Sequence, residues 1–178
     1  MILTGRKQLF TNIKPDTSDK VLEIISDAYT DHLTNRAEME YLYNMYRGKQ
    51  DIYGRVKTVR EDICNKIVEN HAYEFTEFKK GYTFGEPVQY IQYSKTYSDG
   101  TPSEENQSIA ALNELMRLEN KTGKDVELAE WFYICGTAYR MVLPRQSRDI
   151  DESPFVIGTL DPRDAFVVYS YDIDKRPV

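Results

Sequence analysis

"ELAEWFYICGTAYRMVLP", Glu127 to Pro144, is the stretch on which the reading of this chain turns. It holds the single Trp, Trp131, one of the two Cys, Cys135, and two Tyr, and it ends in an apolar run. Two readings compete: a reactive thiol in a site, or a joint between a helix and a strand. A nucleophilic Cys needs a lowered pKa, which a helix N-terminus or a neighbouring His supplies. The periodicity of "KDVELAEWFYICGTAY" predicts a helix with Val126, Ala129, Phe132 and Tyr133 near one side. Cys135 then falls near the helix end, where the dipole disfavours a thiolate. The two His, His32 and His71, are both distant in sequence. Cys135 therefore reads as a small apolar core residue. Gly136 is the helix stop, and Thr137 to Leu143 begins a core strand that Pro144 ends. On this reading Cys135→Ser costs stability modestly and Trp131→Ala several-fold more.

Working outward, "AYRMVLP", "PFVIGTL" and "AFVVYSYD" alternate as strands. The charged loop "RQSRDIDES" and a turn at Asp161 to Asp164 separate them. On the other side, "SEENQSIAALNELMRLENKTG" predicts a helix with Ser103 and Asn106 as candidate caps and Gly123 as its end. "SKTYSDGTPSEEN" is a polar loop with a turn at Asp99-Gly100, "PVQYIQY" a strand, and Asn65 to Lys80 a helix closed by Gly81. Near the N-terminus, "IKPDTSDK" offers Asp16, Thr17 and Ser18 as helix caps. Ile25, Tyr29, Leu33, Ala37, Tyr41 and Met45 then step by four, flanked by Leu22, Leu42 and Tyr46. This predicts one apolar stripe on a helix of about 28 residues. Asp31, Asn35 and Glu38 lie off the stripe. Gly48 suits the position just past the helix end. The fold class is α+β: a long N-terminal helix, with further helices packed on a small, mainly antiparallel sheet.

Composition narrows the function. The 178 residues are 40% hydrophobic and 12% aromatic, enough for a packed core. Tyr outnumbers Phe by 14 to 7, a bias that suits interfaces. No apolar run approaches the roughly 18 residues of a membrane span, and no signal peptide is legible, so no membrane role and a cytosolic place of assembly are expected. Two Cys make no disulfide framework. Cys64, beside Asp62 and Asn65, carries no site signal. His71 with Glu69 and Glu74 is the nearest approach to a metal-ligand cluster, and a solvated helix surface accounts for it better. His32 beside Asp31 reads alike, and the pairs Glu104-Glu105 and Asp151-Glu152 fall in polar loops. No phosphate-binding or dinucleotide fingerprint and no G-x-S-x-G elbow is present. No cofactor, no metal and no catalytic residue is expected.

One segment departs from the acidic balance of −6. Between Arg47 and Arg60 the cations Arg47, Lys49, Arg55, Lys57 and Arg60 face Asp51 alone. Interleaved with Tyr46 and Tyr53, they could contact phosphate, so a nucleic-acid-binding module is the alternative function. A solvated segment, or one pairing with acidic surface on a neighbouring subunit, is the competing reading, and the overall charge favours it.

Four stretches in order carry a further signal: "YLYNMYRGKQDIYGRVK", "DICNKIVENHAYEFTEFKKGYTFGEPVQY", "ELAEWFYICGTAYRMVLP" and "FVIGTLDPRDAFVVYS". Together, from about Thr17 to Ser170, the chain resembles the N-terminal part of tailed-phage portal proteins, of the type found in phages and prophages of Gram-positive bacteria. The resemblance implies a structural assembly protein without catalytic residues. Such subunits form a dodecameric ring at one capsid vertex, assembled in the bacterial host cytoplasm, through which double-stranded DNA is packaged and ejected. Other portal subunits, capsid and scaffolding protein, terminase and head-completion proteins are the implied partners. Residues 1–16 would be an N-terminal arm and residues 17–178 the N-terminal portion of the wing domain. The stem, clip and crown would lie beyond Val178, which makes this chain a truncated portal on that reading. Tyr41, Tyr43 and Tyr46 are the candidate subunit-interface residues, because Tyr41 and Tyr43 lie about 200° apart on a helix and cannot share one core. Exposed apolar area is therefore expected along Tyr41 to Tyr46.

Overall fold

The computed structural model describes residues 5–60, 62–63, 65–91, 107–146 and 152–178. Cys64, the Asp99-Gly100 turn, the candidate caps Ser103 and Asn106, the Glu104-Glu105 pair and Asp151 lie outside these. The chain runs β1 (Leu9–Thr11), α1 (Ser18–Tyr46), a 3-10 turn (Asp51–Gly54), α2 (His71–Phe84), α3 (Gln107–Leu118), α4 (Lys121–Cys135), β2 (Tyr139–Pro144), β3 (Phe155–Leu160) and β4 (Val168–Ser170). This is the expected α+β architecture with its long first helix. The strands form two separate pairs. Tyr139 to Pro144 pairs antiparallel with Leu160 to Phe155, and Leu9 to Thr11 pairs parallel with Val168 to Ser170. The N-terminal segment contributes a strand with a buried residue, Leu9.

Helix α1 spans 29 residues, about 43 Å at 1.5 Å per residue. Its end is the one the sequence predicts. Gly48 takes φ 75°, its N–H donates to the Met45 carbonyl at 3.0 Å, and the Lys49 N–H donates to the Asn44 carbonyl at 2.8 Å. These two bonds close a Schellman motif. The buried face is not the predicted one. Ile24, Ala28, His32, Asn35 and Met39 face inward, while Ile25, Tyr29 and Leu33 stand 45–47% exposed. The burial is turned by one residue, about 100°, from the most apolar stripe. The cause is specific polar docking. The Asn35 amide donates to the Lys7 carbonyl at 2.9 Å and accepts from the Lys7 N–H at 3.0 Å. His32 Nε2 pairs with the Arg163 carbonyl at 3.0 Å, and its ring packs on Phe166. Satisfied polar groups can line a buried face as well as apolar ones.

Other boundaries also move. The second helix begins at His71 rather than near Asn65, because Asn70 is its cap. The Asn70 carbonyl oxygen of the side chain accepts from the Tyr73 N–H at 3.2 Å, and its amide donates to the Tyr46 carbonyl at 2.9 Å. Gly81 sits inside that helix and Gly85 follows its end. Residues 87–91 form no strand. Asn113 of α3 instead bonds both the N–H and the carbonyl of Tyr90, at 3.1 and 2.9 Å, and so takes the place of a neighbouring strand. Between α3 and α4 the left-handed residue is Asn120, at φ 49°, and Gly123 lies within the first turn of α4. Asn tolerates that conformation better than most side chains.

The core lies where α1, α2 and α4 meet. Met39, Tyr46, Ile134 and Cys135 are buried together, with Tyr43 and Trp131 packed on them. Gly136 ends α4 at φ 69°, as the opening stretch predicts, and its N–H donates to the Phe132 carbonyl at 2.7 Å. The β2–β3 pair follows directly and buries Ile157.

Candidate functional site

The C-terminal half of α1 holds the three candidate interface tyrosines. Two of them are engaged within the chain. Tyr46 is buried, its hydroxyl donates to Glu77 Oε1 at 2.9 Å, and its ring lies 5.4 Å from Tyr73. Burial and the Glu77 carboxylate both push the Tyr46 hydroxyl well above the usual tyrosine range. Lys80 joins that group, bonding Glu77 at 2.6 Å and Glu130 at 2.8 Å. Tyr43 stacks on Trp131 at 5.5 Å, with ring planes 26° apart. The expected exposed apolar area along Tyr41 to Tyr46 is therefore corrected. Tyr43 and Tyr46 tie three helices of the chain together, and Tyr41 alone of the three has none of these ring contacts. The exposed apolar residues of α1 lie in its N-terminal half, at Leu22, Ile25, Tyr29 and Leu33.

Arg163, from the turn after β3, closes the same cluster. Its guanidinium lies 4.5 Å over Tyr43 and 5.2 Å over Trp131. It donates to both oxygens of Asp161 and to Glu40 at 2.9 Å. Burial pushes the Asp161 carboxyl up, but Arg163 outweighs it and holds the group below the usual aspartate range. A planar cation stacked on two rings and held by two carboxylates fixes how the turn meets α1 and α4. Nothing in the sequence marks Arg163 apart from other charged loop residues.

The basic segment leaves α1 through Arg47 and passes the 3-10 turn. Arg47, Lys49, Arg55 and Arg60 are exposed, and Lys57 is half-buried with its ammonium on the Ile63 carbonyl at 2.8 Å. None of the five forms an ion pair with a described residue. Exposed flanking apolar side chains accompany them, at Tyr53, Val56 and Val59.

Cys135 has no nucleophile's surroundings. It is fully buried at the C-terminal end of α4. Burial pushes its thiol up to about 11, and a thiol with so little thiolate reacts slowly. Labelling of the folded chain by a thiol reagent at neutral pH is expected to leave Cys135 unmodified until denaturant is added. Modification in the folded state at the rate of the unfolded chain would contradict this burial. His71 bonds Glu74 at 3.0 Å and Glu69 at 3.1 Å through its two ring nitrogens. All three side chains are well exposed. The two carboxylates raise its pKa, Glu74 first. Both ring nitrogens are thus already engaged, and the group is a surface ion-pair cluster.

Two buried carboxylates escape sequence reasoning. Glu119 accepts from the Ile157 N–H at 3.1 Å and from Arg145 at 2.9 Å. Asp125 pairs with Arg140 at 2.6 Å and with Lys121. Both clamp the helical half to the β2–β3 pair. Apart from Lys121, four residues before Asp125, these partners lie 15 to 38 residues away in sequence, so no local pattern marks the clamp.

Compared with known families, residues 26–178 match the family model described as phage portal protein, SPP1 Gp6-like. A search of curated proteins finds no matching relative.

Proposed function

The chain belongs to the SPP1 Gp6-like family of phage portal proteins, a structural family, and from that premise we propose that it forms part of the portal ring through which DNA is packaged into and ejected from the capsid. Residues 17–178 make up the N-terminal portion of the wing, and residues 1–16 are the arm leading into it. Neighbouring portal subunits are its first partners, followed by capsid and scaffolding protein, terminase and head-completion proteins. It carries out no chemistry of its own. Its place is the portal vertex of the virion, after assembly in the bacterial host cytoplasm.

The observation that carries the reading is the family match over most of the chain, continuous from within α1 to the last residue. The geometry supports it. The aromatic and ionic groups of the α1–α2–α4 junction are engaged in holding helices together, while one side of α1 keeps an apolar row uncovered. Contiguous exposed apolar surface of that kind marks a contact with another protein. Immunoelectron microscopy of phage heads from an induced lysate, with antibody against this chain, is expected to label one vertex per head. Label spread over the shell, or heads without label, would overturn the assignment.

A further inference from the structure

Helix α1 and the segment after it carry opposite charge in equal measure. From Asp16 to Asp31 there are five carboxylates against Lys20, and from Arg47 to Arg60 five cations against Asp51. We propose that a second copy of the chain docks its basic 47–60 segment on the outer face of the N-terminal half of α1. This rests on the portal-ring reading above and names the surfaces through which subunits of that ring meet.

The acidic face is built by helical spacing. Glu23, Asp27 and Asp31 follow one another by four residues, so each stands over the next, with Asp19 beside them. All four are exposed, and none has an ion-pair partner among the described residues. Like charges at this spacing repel one another and weaken the helix that carries them. Beside the acidic row, on the sector between it and the buried face, runs the uncovered apolar row Leu22, Ile25, Tyr29 and Leu33. The outer side of α1 is thus half apolar and half acidic.

The basic segment mirrors it. Its cations form no ion pair with a described residue, and the intervening Val56 and Val59 are 83% and 76% exposed. Apolar side chains this open between cations fit a protein surface with its own apolar row better than a phosphate backbone, which offers nothing to cover them.

The two patches cannot neutralise each other within one chain. Some nineteen helical residues of α1 separate Asp27 from Tyr46, roughly 28 Å at 1.5 Å each. That exceeds the screening length of about 8 Å at physiological salt. A second copy can bring them together. Two different patches on one subunit make a heterologous contact, the kind that generates rings when its rotation closes.

The test uses two charge-reversed chains. One carries Glu23→Lys, Asp27→Lys and Asp31→Lys, and the other Arg55→Glu, Lys57→Glu and Arg60→Glu. Sedimentation is followed at low and high salt, with circular dichroism to show that each variant is folded. The wild-type chain is expected to associate at low salt and to lose at least ten-fold in affinity at high salt. Each reversed chain alone stays monomeric, because it sets like charge against like. Their equimolar mixture associates again, as does a chain carrying all six reversals. Association that ignores the reversals overturns this contact and leaves the ring reading standing. A wild-type chain that stays monomeric at low salt also overturns it, and the vertex-labelling experiment then decides the ring reading by itself. Salt-dependent binding of duplex DNA that competes with association, and that only the Arg55, Lys57 and Arg60 reversals abolish, assigns the cations to nucleic acid and overturns it as well.

Discussion

Glu119→Ala is expected to lower the unfolding free energy by about 3 kcal/mol, near the lower end of what losing one partner of a buried charge cluster costs. The side chain is 5% exposed. One oxygen accepts from Arg145 at 2.9 Å, the other from the Ile157 N–H at 3.1 Å and from Lys124 at 3.4 Å. Truncation strands the Ile157 N–H in the only deeply buried part of β3, takes from Lys124 its carboxylate, and leaves Arg145 with the Ser153 carbonyl at 3.0 Å and the exposed Glu152 at 3.7 Å. Glu119→Gln keeps an acceptor for Ile157 and should cost less than Ala. The pH dependence follows from the same contacts. Burial alone would push this carboxyl up, but the Ile157 N–H, Arg145 and Lys124 outweigh it and hold it below the usual glutamate range. A carboxylate with a depressed folded pKa stabilises fully above its unfolded value, and the contribution is lost as pH falls through the folded one. Denaturant titrations should therefore show the gap between wild type and Glu119→Gln at its widest near neutrality. It should narrow on acidification below the ordinary glutamate range. A gap that stays constant into that range would show that the ionised form contributes nothing.

Sequence patterns captured local features well, and for local reasons. Gly48 and Gly136 end their helices because the chain there needs positive φ, which glycine adopts without penalty, and such a need is visible in the residue type itself. The α+β class followed from runs of period near four and of period two. What escaped was set by contacts between distant residues. The buried face of α1 is chosen by Asn35 meeting the backbone of Lys7 and by His32 meeting that of Arg163, 28 and 131 residues away. A hydrophobicity pattern ranks those two residues as outward-facing. The strand expected at 87–93 is absent over its described residues, 87–91, for the same kind of reason: a side chain of α3 satisfies the Tyr90 backbone. The candidate interface tyrosines were chosen by an angular argument that is correct for Tyr41 and Tyr43. It could not foresee that Trp131 and Arg163 arrive to cover Tyr43. The basic segment was legible as a charge pattern, yet its acidic counterpart on α1 stood out only once the rod-like helix was seen to hold the two apart.

Trp131→Ala is the second large effect, expected at about 3 kcal/mol, the lower end of the range for aromatic truncation because the ring is half-buried. Its loss removes the stacking partner of Tyr43 and one of the two rings under Arg163. Arg163 would keep Asp161 and Glu40 but lose half of its apolar bed, so the damage should spread to the turn after β3. Cys135→Ser tests the other side of the same joint. Cys135 has 0% exposure, and a serine there buries a hydroxyl, for which a carbonyl of the preceding helical turn is the usual acceptor in a helix. A cost of about 1–2 kcal/mol follows. The sequence reading expected a several-fold gap between the two variants. The geometry narrows it to about two-fold, because the sulfur is the more deeply buried of the two groups and the indole the larger. In thermal melts of a chain this size the indole loss should lower the midpoint by roughly 6–12 °C and the serine by about half as much. Equal midpoints would mean that the Tyr43–Trp131–Arg163 stack adds nothing beyond the burial of its neighbours. The joint between α4 and β2 would then depend on Cys135, Gly136 and Ile134 alone.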